Sequence, residues 1–300
     1  MGKKINQEGL DGKKVGFAWE AKEAKANLVI ITGMAEQASR YEDFALFLNK
    51  SGYNVYCIDH YGQGLTAGSE DKLGIVSVDF FAHSVKDVDN FVLGLKDKGL
   101  PTYIFAHSMG SFMLQDYIQH YSENIKKAVI CGTNGPNAKL LFTFGYGLAK
   151  LLSPAKKYNE LGTTLNKITF GGYNNKIDPV RTSFDWLSVN EENVDKYIAD
   201  PYCGFVPTKG FFREFLKGNA GLFNKDNLAK IRKDLPIFII AGDADPVGAY
   251  GKGPEALAKL YKDLGITDVQ LKLYKGLRHE ILNEKEKEEV YKDVLAFLEA

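Results

Sequence analysis

Six short apolar runs, each followed by a longer segment of different periodicity, constrain this chain more than any other feature of its sequence. The runs are Asn27–Thr32, Tyr53–Asp59, Tyr103–Ala106, Ala128–Cys131, Ile237–Ala241 and Val269–Tyr274. Such short, mostly unbroken apolar stretches suit strands buried on both faces of a parallel sheet. The segments Tyr41–Ser51, Phe80–Leu95, Gly110–Tyr121, Gly253–Leu264 and Glu284–Leu298 carry apolar residues at three- and four-residue steps, the spacing of one helix face. Strand and helix alternating at this length predict a mostly parallel, doubly wound α/β sheet with right-handed crossovers. The chain has 300 residues, 45% hydrophobic and 25% charged, so a disordered or fibrous chain is excluded.

The alternation stops between Gly132 and Phe205. The segment opens on the turn cluster Asn134-Gly135-Pro136-Asn137 and continues into a very apolar helical stretch, Leu140 to Leu152, which Gly145 and Gly147 weaken. We expect an inserted helical lid (cap) over residues 133–205 on a core domain formed by residues 1–132 and 206–300.

The stretch Tyr103-Ile-Phe-Ala-His-Ser-Met-Gly110 carries the chemistry. A buried strand runs through His107-Ser108-Met109-Gly110 directly into a helix. That is a nucleophile elbow of the G-x-S-x-G kind, with Ala106 at the first glycine position. The turn is so tight that only small residues fit two places before and after the serine. It lifts the Ser108 hydroxyl above the C-terminal edge of the sheet. It also places the Met109 N–H at a helix N-terminus, where it can face a developing oxyanion.

A serine nucleophile needs a base, and the base needs an orienting acid. Of the five histidines, His60, His83, His107 and His120 read as loop, helix or surface residues, with the His107 side chain directed away from the elbow. His279 follows the last strand and so stands above the strand C-termini, where α/β ligand sites form. The strand Ile237–Ala241 ends in Gly242-Asp243-Ala244-Asp245-Pro246, which offers two carboxylates. Asp245 is preferred as the acid, because Pro246 draws it away from a helix start, and Asp243 is left to hold the loop. A second oxyanion donor is expected from Thr32-Gly33-Met34, with the Met34 N–H facing that of Met109.

Other chemistries find little support. Lys+Arg and Asp+Glu both number 38, and a chain of zero net charge is a poor partner for nucleic acid. Cys57, Cys131 and Cys203 are odd in number and widely separated, which argues against a disulfide framework or a zinc knuckle. No H-E-x-x-H, P-loop or dinucleotide fingerprint occurs, so no metal or nucleotide cofactor is expected. No apolar run reaches 18 residues, so no membrane-spanning segment is expected, and a cytoplasmic location is the default.

With these motifs in hand, the chain resembles the monoacylglycerol lipase and lysophospholipase family of serine α/β-hydrolases, in particular bacterial lysophospholipase-like members. Ile31–Leu48 resembles the family's H-G-x-x-E-H-x-x-R-Y segment, and Asp59–Gly64 its D-x-R-G-H-G loop. AHSMGS, GDADPVG and GLRHEILNE resemble its nucleophile, acid and histidine motifs. Arg181–Ser188 and Val194–Phe205 resemble lid sequences of bacterial members. Thr32 and Gln37 stand where the family has histidines, and Tyr61 and Gln63 where its loop has Arg and His. The resemblance implies an α/β-hydrolase fold and ester hydrolysis through an acyl-enzyme, with Ser108, Asp245 and His279 as the triad. The implied substrates are small acyl esters such as monoacylglycerols or lysophospholipids, with at most transient contact with a lipid surface. Phe142, Phe144, Trp186, Tyr202 and Phe205 are candidates for the acyl-chain wall. The alternatives are a peptidase or thioesterase of the same fold, or a binding protein without catalysis.

Overall fold

The computed structural model describes residues 2–96 and 99–300. Its centre is one eight-stranded sheet: β1 (Lys3–Gly9), β2 (Gly12–Trp19), β3 (Ala26–Ile31), β4 (Tyr53–Ile58), β5 (Thr102–His107), β6 (Ala128–Cys131), β7 (Ile237–Gly242) and β8 (Val269–Tyr274). The spatial order is β1-β2-β4-β3-β5-β6-β7-β8. The six strands from β3 onward run parallel, and β1 and β2 add an antiparallel hairpin at one edge.

The helices are α1 (Glu42–Asn49), α2 (Phe80–Leu95), α3 (Met109–Tyr121), α4 (Lys139–Leu152), α5 (Thr163–Phe170), α6 (Glu191–Ala199), α7 (Lys209–Gly221), α8 (Lys225–Leu228), α9 (Lys252–Asp263) and α10 (Lys287–Glu299). The parallel strands β3 to β7 are buried on both faces, and their side chains alternate between two cores. Leu28, Ile30, Phe105, Val129 and Ile240 face one way, against Phe44 and Leu48 of α1 and Val290 and Val294 of α10. Val29, Ile31, Ile104, Ile130 and Ile239 face the other way, against α2, α3 and α9 through Val85, Leu114 and Leu257. Two-sided burial is why these runs read as continuously apolar rather than alternating.

The N-terminal hairpin is absent from the sequence expectation. β1 is an edge strand with no fully buried residue, so it carries no apolar run to detect. β2 buries Lys14 and then Gly16 to Trp19, with Val15 half-buried between them. Between β6 and β7 the chain leaves the sheet and forms α4 to α8. Helix α4 runs unbroken through Gly145 and Gly147, because tertiary packing supplies what propensity withholds.

Candidate active site

Every group of the site hangs from the C-terminal end of a parallel strand. β5 ends at His107 and α3 begins at Met109, so Ser108 makes the whole turn. Its backbone has φ +52° and ψ −120°, a conformation an L-residue adopts only under strain. The Ser108 N–H donates to the Cys131 carbonyl at 3.0 Å, and its carbonyl accepts the Ser111 hydroxyl at 2.5 Å. Gly110 is required by close approach. A Cβ there would lie 2.3 Å from the Ile31 carbonyl oxygen. Gly33 is the second such position, since its Cβ would sit 3.0 Å from Ser108 Cβ. The loop after β3 therefore passes directly over the elbow.

Asp245 follows β7 and His279 follows β8. His279 Nδ1 and Asp245 Oδ2 are 2.9 Å apart, and both side chains are buried. Asp243 accepts the Gly276 N–H at 2.6 Å, closing the β7 loop onto the β8 loop. The His279 ring is sandwiched between His107, at 4.7 Å between centroids, and Trp186, at 5.1 Å.

Ser108, His279, Met34 and Met109 line one cavity of about 730 Å³. One wall is built by Phe142 and Leu148 of α4 with Phe215 and Leu216 of α7. Another is the aromatic group Phe170, Tyr173 and Trp186. Of the candidate wall residues, Phe142, Trp186 and Phe205 line this cavity. Phe144 and Tyr202 are not among its lining residues. Phe144 is 75% exposed, because α4 turns Phe142, Gly145 and Leu148 inward and leaves Phe144 on the outer stripe with Leu140 and Leu151. Tyr202 is half-buried in the turn that its N–H makes to Asp200.

Beneath the cavity lies a charged cluster that sequence reasoning did not find. Glu36 accepts hydrogen bonds from the Gly33 N–H, the Tyr41 hydroxyl at 2.8 Å and Arg40 at 3.1 Å, and meets His107 Nδ1 at 3.1 Å. Arg40 makes a two-point contact with Glu280, at 2.6 and 2.7 Å. Burial alone would raise the Glu36 pKa, but His107, Arg40 and the Gly33 N–H hold it down at about 2. Burial alone would lower the His107 pKa, but Glu36 raises it above the ordinary histidine value. Both His107 nitrogens face acceptors, Glu36 and the His279 carbonyl at 3.3 Å, as suits a cation. His107 thus turns under His279 rather than away from the site. His60 is likewise buried, packed edge-on against Phe80, and burial drops its pKa to about 3. The cluster joins residues up to 240 positions apart, so no local pattern announces it; Glu36, Arg40 and Tyr41 lie within the motif segment quoted above.

Among the described residues no group of three or more His, Cys, Asp and Glu could hold a metal ion, and no helix is long and apolar enough to cross a membrane.

A sheet of this order, with a serine at the β5–α3 elbow and an Asp–His pair after β7 and β8, defines an α/β-hydrolase. Comparison with known proteins narrows the class. Residues 22–286 match the profile of the serine aminopeptidase, S33 family (Hydrolase_4), and the chain belongs to that family. A monoglyceride lipase of Saccharomyces cerevisiae is 25% identical, covering 93% of this chain and 87% of its own. A monoacylglycerol lipase of Mycolicibacterium smegmatis is 28% identical, covering 90% and 87%. The crystal structure of a thermostable carboxyl esterase from Bacillus coagulans, in complex with glycerol, superposes with a TM-score of 0.89 at 25% identity, covering 99% of this chain and 97% of that one. The chain is a serine ester hydrolase.

Proposed function

We propose that this enzyme cleaves medium-chain acyl esters, monoacylglycerols or lysophospholipids foremost, through an acyl-enzyme on Ser108. The Ser108 oxygen attacks the ester carbonyl carbon while its proton passes to His279, which Asp245 orients. The Met34 and Met109 N–H groups receive the oxyanion. As the tetrahedral intermediate collapses, the C–O bond breaks and the alcohol leaves with the proton from His279. Water then repeats the sequence and frees the acid.

The observation that carries this reading is the 2.9 Å Asp245–His279 pair beside a strained serine on one largely apolar cavity. Its volume, about 730 Å³, lies within the roughly 300–1,000 Å³ usual for ligand pockets. Residues 133–205 act in this proposal as a lid, with Phe142 and Leu148 along the acyl chain. The outer stripe of Leu140, Phe144 and Leu151 supports brief contact with the lipid surface that presents such substrates. Three free, buried cysteines suit a cytoplasmic setting.

The test is a substrate panel: monooctanoylglycerol, a lysophosphatidylcholine, acetyl and octanoyl p-nitrophenyl esters, an octanoyl thioester and an aminoacyl anilide. Octanoyl oxygen esters should be turned over best. Faster cleavage of the anilide or the thioester would replace the proposal with peptidase or thioesterase activity. Absence of labelling by a fluorophosphonate would remove the nucleophile.

A further inference from the structure

Gln63 is fully buried in the loop after β4, outside the triad and outside the cavity lining. Its Nε2 donates to the Gly33 carbonyl at 3.1 Å, and its Oε1 accepts the Ala35 N–H at 2.7 Å. The orientation of the side-chain amide is unambiguous, since a carbonyl can only accept and an N–H can only donate. The two bonds straddle Met34.

The Gly33 carbonyl and the Met34 N–H belong to one planar trans peptide group, so their O and H point in opposite directions. A bond that pulls the Gly33 oxygen toward Gln63 turns the Met34 N–H away from Gln63. A hydrogen bond on that carbonyl also polarises the N–H of the same peptide and makes it a stronger donor. The rest of the loop is tied at other points. Glu36 takes the Gly33 N–H. The Ala35 carbonyl accepts the Tyr197 hydroxyl at 2.8 Å and the Gly204 N–H at 3.0 Å. Asp59, at the start of the Gln63 loop, accepts the Ala38 N–H at 2.7 Å. Among these ties, Gln63 acts on the peptide that carries the Met34 donor itself. Ala35 needs its own tie, because its backbone is held at φ +54°.

We propose that Gln63 is a positioning residue of the reaction, which aims and polarises the Met34 N–H through the Gly33 carbonyl. The proposal rests on the oxyanion role given to Met34 above. It gives the Asp59–Gly64 loop a catalytic purpose at the position where the resembling family carries a histidine, a side chain that can also donate once and accept once.

The experiment measures kcat and KM on an octanoyl ester for wild type, Gln63→Leu, Gln63→Glu and Gln63→His, with rates normalised to the sites a fluorophosphonate titrates. Loss of one oxyanion donor outright costs about 10²–10³ in kcat, so misaiming it in Gln63→Leu should cost roughly 10–10² with KM within about threefold of wild type. Gln63→Glu keeps the acceptor for Ala35 but, when ionised, has no donor for Gly33. Its rate relative to wild type should be low at alkaline pH and recover as the pH falls and the carboxyl gains a proton. Gln63→His should retain at least fivefold more kcat than Gln63→Leu, a readout available even if Gln63→Glu does not fold. A Gln63→Leu kcat within twofold of wild type overturns the proposal. So does a low Gln63→Glu rate whose ratio to wild type stays flat with pH, which marks a structural role alone. Ser108→Ala serves as the separate control: its retention of activity would overturn the reading of the whole site, whereas its loss beside a fully active Gln63→Leu overturns the Gln63 proposal alone.

Discussion

Asp245 presents one carboxylate oxygen to His279 Nδ1 at 2.9 Å and accepts the Val247 N–H on the other at 2.8 Å. A carboxylate held at both ends fixes the plane in which the imidazole stands. Asp243, two residues earlier, spends its carboxylate on the Gly276 N–H instead. Asp245→Asn should therefore lower kcat by on the order of 10²-fold more than Asp243→Asn, because only the former can disturb the His279 tautomer. Steady-state rates of the two variants decide it. A greater loss in Asp243→Asn would exchange their roles.

Ser108→Ala should remove roughly 10⁴–10⁶ of kcat while leaving the fold in place. Alanine meets the same backbone demand at φ +52° as serine does. A thermal melt within a few degrees of wild type, together with lost turnover, is the expected pair of results. Activity within tenfold of wild type would reject Ser108 as the nucleophile.

The two faces of α4 should separate in a chain-length series. Leu148 lines the cavity, whereas Phe144 is 75% exposed. Each methylene buried against such a wall is worth about 0.8 kcal/mol, so a few contacts carry a preference on the order of 10² for octanoyl over acetyl esters. Leu148→Asp should erase much of that preference, while Phe144→Asp should leave both kcat/KM values near wild type. An equal loss for every chain length in a folded Leu148→Asp would place the acyl site elsewhere.

The Glu36–His107 pair should make stability depend on pH from both sides. Glu36 is held at about 2 against an ordinary 4.5, so its contribution is complete above pH 4.5 and is lost as the pH falls toward 2. His107 is raised above 6.5, so its contribution is complete below 6.5 and is lost as the pH rises through the elevated value. The two contributions overlap between those limits. On lowering the pH from 6 to 3.5, wild type should lose on the order of 1 kcal/mol more than Glu36→Gln in urea denaturation. Parallel losses in the two proteins would show that Glu36 is not held in the ionised state.

Much of this molecule is legible from its sequence, for reasons that differ from place to place. The parallel strands β3 to β7 announce themselves because both faces are buried. Ser108, Asp245 and His279 stand out because each lies in the loop or turn that follows a strand, and strand ends are local features. β1 is silent because an edge strand with one face exposed and the other only half-buried needs no apolar pattern. Phe144 falls outside the cavity lining because the apolar face of α4 is wider than the stripe that turns inward, so periodicity cannot say which part of that face is buried. The partnerships of Glu36 with His107 and of Arg40 with Glu280 are invisible because three-dimensional contact, not spacing, creates them.

The strained turn at Ser108 bears on how this protein would respond to selection. A backbone at φ +52° and ψ −120° favours glycine, and holding an L-residue there costs about 1–3 kcal/mol. Ser108→Gly is thus a change that heat challenge alone would reward, although it deletes the oxygen proposed to attack the ester. A library screened only for survival of the fold would drift toward glycine at 108, while one screened for turnover would hold serine and accept a lower melting point. The residue proposed to carry the chemistry is one the fold itself would rather replace.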